Sequence, residues 1–292
     1  MMSRKPDISA FLLLAPVHIL LLAVLAIPSL YVLWLSLNVS SYGTGVQFVG
    51  LANYVTIFQD AYFWRALVNT FIVVNAVVYC ELILGLGLAV VFARGVPWPK
   101  IMLAIVLMPY AISEVVGVLM WKIMMDPSVG AFSRTLEALG FGLFNWSVSP
   151  IQGLILISII SIWHNLPFTF LLLYAGRLAI PSTVYEAAAI DGATPWQAFK
   201  RITLPLLIPA ILLAMIFRLI FAFRLFSEVW LLTKGGPARM TEVLAVYLYE
   251  QGFRYGDFGV AAATGWVMVL GSVLLASFYL YQMHRRMVKQ YG

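Results

Sequence analysis

The sequence predicts an all-α membrane protein, a polytopic bundle of six transmembrane helices. Of its 292 residues, 63% are hydrophobic and only 10% are charged, which leaves too few polar side chains to cover the surface of a soluble domain. Six apolar segments reach the roughly 20 residues that a helix needs to cross the hydrocarbon core of a bilayer, and none alternates like a barrel strand. We therefore expect one transmembrane domain over residues 1–292, with helices at about 11–37, 66–93, 101–125, 151–176, 204–232 and 259–283.

The first apolar segment is expected to remain in the protein as a membrane helix. Its apolar run, from about 11 to 37, is longer than the roughly 7–15 residues of a signal-peptide core. The proline-containing helices have two interpretations. Pro109 and Pro167 each remove a backbone donor, and such a break marks either a lined pathway or a packing kink.

The net charge of +6 has a topological explanation and does not require a nucleic-acid partner. Basic residues favour the cytoplasmic side of a membrane protein, so the shorter and more basic segments are placed inside. We expect both termini in the cytoplasm and the loops 38–65, 126–150 and 233–258 outside. The inner set is Arg4, Lys5, Arg94, Lys100, Arg177, Lys200, Arg201, Arg285, Arg286 and Lys289; the outer set is Arg65, Lys122, Arg134, Lys234, Arg239 and Arg254.

A polar segment of about twenty residues, Glu186 to Pro205, separates the fourth and fifth apolar runs. Ser182 is suited to cap a short helix that continues to about Ile190, and Gly192 suits the left-handed position that ends it. A second helix is predicted to start with Thr194 as its cap, Pro195 in the first position and Gln197 completing a capping box. The sequence thus predicts a helix–turn–helix in the cytoplasmic segment 177–205.

This helix–turn–helix is either a docking surface or an ordinary amphipathic loop packed under the bundle. Tyr185, Ala188 and Ala189 give its first helix a small apolar face, and the alanines permit close approach of another surface. Glu186 offers a carboxylate, which forms strong and directional pairs with arginine.

Sequence patterns for catalysis are absent. There is no GxxxxGK[ST], no HExxH and no GxSxG, and Cys80 is the only cysteine, so it can form no intrachain disulfide. We therefore expect no enzyme activity, cofactor or metal in this chain, and any energy source should lie in a partner. The unusual groups are instead intramembrane charges, which are costly and usually face a cavity or the bundle interior. They are Glu81, Glu114, Arg218, Arg224 and Glu228.

The polar segment resembles the "EAA" loop of permease subunits in binding-protein-dependent ABC importers. The matching spacing is Glu-Ala-Ala, three residues, Gly, nine residues, Ile-x-Leu-Pro. It is carried by Glu186, Ala187, Ala188, Gly192, Ile202, Leu204 and Pro205, with Asp191 directly before the glycine. The resemblance implies the type I ABC importer permease fold, and it implies that this loop inserts into a cleft on an ATP-hydrolysing subunit.

Other segments are similar to the carbohydrate-uptake branch of that family, the maltose and glycerol-phosphate type. They are Leu51–Tyr54, Phe63-Trp64 with Asn69-Thr70, Met108–Lys122 and Leu232–Pro237, so the likeness covers about residue 50 to the C-terminus. It implies a first-type permease subunit of a bacterial inner membrane importer. Its partners would be a second homologous permease subunit, two ATPase subunits that hold ATP and Mg, an external solute-binding protein and membrane lipid.

The resemblance also implies a solute site on the fourth and fifth helices. Positions matching Asn165 and Phe168 touch the sugar in the maltose-type relative, and His164 can add a donor or acceptor. Aromatic packing at a proline kink is the other interpretation of this segment.

On the fifth helix, Arg218, Ala222 and Leu225 occupy the face that carries small polar and amide groups in that relative. Because this sequence departs there, a buried arginine suggests an anionic sugar derivative or a phosphate or sulfonate.

The remaining intramembrane charges have more than one interpretation. Glu114 either bonds sugar hydroxyls or balances Arg218, while Glu81 is expected to support packing or hold water. Arg224 and Glu228 are four residues apart and are expected to pair along one helix face.

Two functions remain to be compared. The first is an ABC importer permease for a sugar or related solute, working by alternating access. The alternative is an ion-coupled secondary sugar transporter that uses Glu81, Glu114 or His164 as a proton relay.

Overall fold

The computed structural model describes residues 8–291 except 42 and 44, and the side chains of residues 13–281 apart from these two positions. The chain is mainly helical, with two short strands in antiparallel register, Asn38 opposite Phe48 and Val39 opposite Gln47. In chain order the elements are α1 (Ile8–Ser36), β1 (Asn38–Val39), β2 (Gln47–Phe48), α2 (Ala52–Gln59), α3 (Ala61–Ala93), α4 (Pro99–Ala111), α5 (Glu114–Met124), α6 (Ala131–Ala138), α7 (Pro150–Leu178), α8 (Ser182–Ile190), α9 (Pro195–Ala198), α10 (Leu204–Ala222), α11 (Ser227–Leu232), α12 (Leu244–Tyr249) and α13 (Phe258–Tyr291), with π-helical turns at Phe199–Thr203 and Glu250–Arg254.

The predicted membrane bundle of six helices is confirmed. Five helices in the described chain are long and apolar enough to span a membrane, and α4 with α5 makes a sixth span if the bent pair is counted as one. α9 is continuous with α10 through the π-helical turn, so one 28-residue helix runs from Pro195 to Ala222. The predicted outer bounds of the first, fourth and sixth spans agree within a few residues, except that α13 extends to Tyr291.

The third span is broken, which corrects the prediction of one helix over 101–125. α4 ends at Ala111, α5 begins at Glu114, and their axes differ by 97°. Pro109 has no N–H to continue the helical ladder, and the Ile112 N–H closes a tight final turn on the Pro109 carbonyl at 3.3 Å. Pro167, in contrast, lies buried inside an uninterrupted α7.

The fifth span also differs from its predicted limits, 204–232. It starts earlier, at Pro195, because the helix of the polar segment continues into it. It stops at Ala222, where the Arg224 and Leu225 N–H groups turn back to Phe221 and Ala222, and α11 then forms a separate short helix. No proline or glycine marks this break in the sequence.

Backbone proximity divides the chain into two compact units. The first contains Met1–Asp60, described from residue 8, together with Leu248–Val267. Within it, Asn53 Nδ2 donates to the carbonyls of Ser36 and Asn38, both at 2.8 Å, and Phe258 N donates to Ser40 O at 2.9 Å. The prediction that all six spans form one domain stays a prediction.

The second unit, Ala61–Tyr247 with Met268–Gly292, contains the predicted site residues. Its centre is α7, which packs against α3 and α10. Gly176 permits the closest approach of α7 to α10, because a Cβ there would lie 2.7 Å from Ala210 Cβ. Leu207 and Leu173 are completely buried in this unit.

The predicted orientation rests partly on residues outside the described chain. Arg4 and Lys5 precede residue 8, and the side chains of Arg285, Arg286 and Lys289 are also outside the described set. The placement of both termini in the cytoplasm therefore stays a prediction.

Candidate functional site

The polar segment folds as the predicted helix–turn–helix. α8 covers Ser182–Ile190, and Gly192 has a φ of 77°, the left-handed conformation that glycine adopts at low cost. The capping box is complete: Gln197 N donates to Thr194 Oγ1 at 3.3 Å, and Thr194 N donates to Gln197 Oε1 at 2.8 Å. Local sequence rules therefore determine this segment.

The cap predicted at Ser182 is wrong. Pro181 occupies the N-cap position of α8, and no side chain caps the helix there. The proline ring fixes φ near −59°, which suits a chain entering a helix, and Ser182 becomes the first helical residue.

The apolar face predicted for α8 lies partly against the chain itself. The Tyr185 ring lies under the Arg177 guanidinium at 4.1 Å, and its hydroxyl is 2.9 Å from Thr203 Oγ1. Ala188 and Ala189 line a pocket of about 450 Å³ beside these groups. Tyr185 thus anchors α8 to α7 and to the π-helical turn, and it is not a free docking residue.

The motif residues fall into two groups. Glu186, Ala187, Asp191 and Gly192 are exposed, whereas Ile202, Leu204 and Pro205 are half-buried where α10 begins. Two large apolar side chains accompany the exposed group: Ile190 is 87% exposed and Trp196 is 69% exposed. Exposed apolar residues next to a carboxylate are typical of a protein contact surface.

A second feature of the same unit is a polar cavity of about 510 Å³ among the membrane helices. Six of the seven residues predicted for a solute site line it. The lining comprises Tyr110, Glu114, Ser161, His164, Asn165, Arg218, Phe221, Ala222, Arg224, Leu225, Ser227 and Glu228.

Two helix breaks build this cavity. The break between α4 and α5 places Tyr110 and Glu114 at its wall. The break between α10 and α11 places Arg224, Leu225, Ser227 and Glu228 there, while α7 and α10 supply the rest. Four further lining residues were not predicted from the sequence: Tyr110, Ser161, Phe221 and Ser227. Only the proline at 109 signals a break near any of them.

Phe168 is the predicted site residue that does not line the cavity. Its ring lies 6.4 Å from the ring centre of Tyr110 and 6.1 Å from those of Phe217 and Phe221. It supports the aromatic side chains Tyr110 and Phe221, which do face the cavity. Phe168 therefore contributes to the cavity through the aromatic side chains that it packs against, and not by lining it.

Arg218 is paired with Glu81, which corrects two expectations. Arg218 Nη2 donates to Glu81 Oε1 at 2.8 Å, Nε bonds Oε2, and the two side chains are 3% and 0% exposed. Thr169 Oγ1 also donates to Glu81, at 3.4 Å. Glu81 thus supports the packing of α3 against α10, one of its two expected roles, through an ion pair rather than by holding water, and Glu114 is not the direct partner of Arg218. Removal of either partner would leave an uncompensated charge in a dry environment.

The predicted Arg224–Glu228 pair does not form. Arg224 lies exposed in the turn after α10, so the i,i+4 geometry of a helix does not apply, and its side chain forms no ion pair with the described residues. Glu228 is 3% exposed, and among described groups its Oε2 has no hydrogen-bond partner. His164 also lines the cavity, and its Nδ1 likewise has no hydrogen-bond partner among the described groups.

Comparison with known proteins identifies the family of this chain. The chain is 35% identical over 272 residues to the trehalose/maltose transport system permease protein MalF of Thermococcus litoralis, covering 92% of this chain and 90% of that protein. It is 34% identical over 276 residues to the sulfoquinovosyl glycerol transport system permease protein SmoG of Agrobacterium fabrum, covering 93% and 89%.

Its fold matches a chain of a bacterial alginate ABC transporter, solved in complex with an alginate pentasaccharide-bound periplasmic protein. The TM-score is 0.81 at 25% identity, over 96% of each chain. Residues 81–289 match the family described as "Binding-protein-dependent transport system inner membrane component". The predicted family and fold are confirmed: this multi-pass chain belongs to the binding-protein-dependent inner membrane permeases of ABC transporters.

Proposed function

We propose that this chain is the membrane permease subunit of an ATP-driven sugar importer. ATP would be hydrolysed on two separate ATPase subunits, and an external binding protein would deliver the solute. The observation that carries the proposal is the continuous helix from Pro195 to Ala222. It starts in the helix–turn–helix and ends beside the polar cavity, so a single rigid element joins both candidate sites.

Sugar is the solute class that the relatives support. The names of the two relatives and of the solved transporter refer to trehalose and maltose, to sulfoquinovosyl glycerol and to alginate. These solutes are all carbohydrates or carbohydrate derivatives, and they differ in charge. The likeness therefore supports the class without deciding the charge of the solute.

The continuous helix provides the mechanical connection for alternating access. At 1.5 Å per residue, its 28 residues extend about 42 Å, and Arg218 lies near the end remote from Pro195. A displacement imposed on α8 and α9 by an ATPase would pass along this helix to the cavity wall. The π-helical turn at Phe199–Thr203 is a natural place for local adjustment, because its hydrogen bonds are irregular.

In this proposal the exposed part of the motif binds the ATPase. Glu186 would accept a bidentate arginine of that subunit, while Ile190 and Trp196 would supply apolar contact area. The segment that carries these two apolar residues is shaped by Ala187, Ala188, Asp191 and Gly192. Ile202, Leu204 and Pro205 would transmit the movement because they pack where α10 begins.

The same geometry supports the predicted topology. If the helix–turn–helix meets a cytoplasmic ATPase, both termini face the cytoplasm. Arg177, Lys200 and Arg201 lie beside this segment, as expected for the cytoplasmic side.

The cavity would hold the solute between this chain and a second permease subunit. Tyr110 and Phe221 offer aromatic surface for the apolar face of a sugar ring. Asn165 and Ser161 offer both donors and acceptors for hydroxyl groups. Ala222 and Leu225 limit the space, while His164, Glu114 and Arg218 set the polarity.

The test is uptake by a reconstituted complex that carries Glu186→Lys. We expect a loss of ATP-dependent uptake greater than tenfold, or loss of ATPase assembly, with membrane insertion preserved. The matched control is Glu137→Lys, an exposed charge reversal on α6. Normal uptake by the Glu186 variant would contradict the coupling role.

The secondary-transporter alternative is not favoured. Of its three candidate relay groups, Glu81 is paired with Arg218 at a completely buried position, and the relatives are permeases of transport systems that match this chain over most of its length. Sugar uptake by this chain in liposomes without an ATPase would support that alternative against the proposal.

A further inference from the structure

Glu228 is a buried carboxyl group in the cavity with an incomplete set of hydrogen bonds. It lies on α11, it is 3% exposed, and its Oε2 has no partner among the described residues although the side chain lines the cavity. A buried carboxyl oxygen without a hydrogen bond is costly, so such a group indicates that a donor occupies the site in the working protein.

The charges around Glu228 show which donor suits it. The charged groups that face it in the cavity are Glu114 on α5, Arg218 on α10 and Arg224 in the following turn, and Ser161 and His164 on α7 are the neutral polar neighbours. Ser161 and Glu114 lie within reach of the Glu228 carboxyl group, whose Oε2 still has no partner among the described residues. Arg218 is neutralised by Glu81 through two hydrogen bonds, so it presents donors to the cavity with little net charge. What remains is two adjacent carboxyl groups and one exposed guanidinium, a set without the excess of positive charge that would attract an anion.

We infer that Glu228 accepts a hydrogen bond from a hydroxyl of the transported solute, and that this wall selects neutral polyhydroxylated solutes over anionic sugar derivatives. The inference rests on the proposed function and goes further, because it assigns a specificity-determining residue and a charge class. It replaces the anionic-solute hypothesis, whose basis was an uncompensated Arg218.

A hydroxyl group matches this wall better than any simple charged group. It donates to Glu228 Oε2 and at the same time accepts from a neighbouring donor, such as the guanidinium NH₂ of Arg218 that Glu81 does not engage. His164 Nδ1, which is also without a partner in the described structure, can exchange a hydrogen bond with a second hydroxyl in either tautomer. Adjacent hydroxyls on a sugar ring supply such groups in pairs.

The first experiment measures uptake by the complete importer, with its binding protein and ATPase subunits, in proteoliposomes. The probes are trehalose, maltose and the uronate analogue of each. We expect the wild type to take up at least one neutral disaccharide and to discriminate at least tenfold against its uronate. Exclusive uptake of the uronates would overturn the inference and leave the proposed function intact. Failure of every carbohydrate probe would instead contradict the proposed sugar transport.

The second experiment changes Glu228 and measures the same uptake. Glu228→Met keeps the volume and removes the acceptor, so the half-saturating concentration should rise more than tenfold. Glu228→Gln keeps an acceptor oxygen and should cost less than fivefold, which a purely structural role would not predict. The control Glu137→Gln should leave uptake unchanged, and basal ATPase activity with membrane content shows that each variant has assembled.

The third experiment uses monodeoxy analogues of the transported disaccharide. If Glu228 binds one hydroxyl, one analogue should lose uptake in the wild type but little more in Glu228→Met, because both changes remove the same bond. For each analogue, the uptake by Glu228→Met is divided by the uptake by the Glu137→Gln control. Because both assays use the same binding protein, its preference among the analogues cancels in this ratio. Equal sensitivity to all analogues in both proteins would show that Glu228 holds a structural water, and the inference would be wrong.

Discussion

The helix–turn–helix and the polar cavity belong to the same compact unit but are built in opposite ways. The helix–turn–helix uses neighbours in sequence: a cap at Thr194, a turn at Gly192 and an exposed carboxylate at Glu186. The cavity depends on distant partners, such as Glu81 with Arg218, 137 residues apart. One region is therefore specified by local rules and placed at the surface, while the other exists only after the helices have packed.

This contrast predicts different responses to substitution. Changes in the cavity disturb buried charge, for which no solvent can compensate, and should affect the stability of the whole unit. Changes in the helix–turn–helix affect a solvated segment and should alter local order or partner binding. Substitutions in each region separate these responses.

Glu81→Ala is expected to have the largest effect, because it breaks the buried ion pair beside the cavity. It leaves Arg218 charged and unpaired, so we expect the free energy of unfolding to fall by about 3–5 kcal/mol in a detergent–denaturant titration. The double variant Glu81→Leu/Arg218→Met removes both charges and should recover most of that loss. A fall below about 1 kcal/mol for Glu81→Ala would mean that the pair does not stabilise the unit.

The helix contact that connects the two regions is tested by Gly176→Val. Because even a Cβ at this position would lie 2.7 Å from Ala210 Cβ, we expect a loss of about 1–3 kcal/mol together with reduced uptake. Gly87→Ala is the matched control, since a Cβ there meets no described atom within 4 Å, and its effect should stay within about 1 kcal/mol. If both variants have the same stability, α7 and α10 do not approach as closely as described.

The smallest effect is expected at the capping box, through Thr194→Ala. Loss of one N-cap should destabilise the start of the continuous helix by about 1 kcal/mol. Hydrogen exchange of the Gln197 and Ala198 amides should accelerate about fivefold, while global stability stays unchanged. Thr183→Ala, in the exposed first turn of α8, is the control and should not alter exchange at these amides. A change in global stability would show that this segment is less local than we conclude.

The sequence predicted the parts of the structure that follow from nearby residues. Apolar length predicted the six spans, and Thr194, Gln197 and Gly192 predicted the second helix and its turn correctly. Ser182 failed as a cap because Pro181 already provides the geometry that starts α8. Tyr185 was misjudged because its partners, Arg177 and Thr203, come from other elements.

The ion pairs of the candidate solute site could not be predicted from the sequence, although most of its residues were. Six residues of the predicted solute site line the cavity, namely His164, Asn165, Arg218, Ala222, Leu225 and Glu114, and their binding of solute stays a prediction. The predicted ion pair was wrong, since spacing along a helix favoured Arg224 with Glu228, and the break after Ala222 removes that helix. Neither a proline nor a glycine signals the break, so only the packed structure shows that Arg218 binds Glu81 and that Glu228 faces the cavity.

In the mechanism we propose, one continuous helix joins a coupling region to a separate solute site. The most direct measurement is the concentration dependence of ATP-driven uptake for Glu186→Gln, Glu228→Met and the double variant, with Glu137→Gln as control. We predict that Glu186→Gln lowers the maximal rate, that Glu228→Met raises the half-saturating concentration, and that the double variant combines both effects independently. Identical changes from both single variants would contradict two distinct sites, as would a double variant no worse than either one.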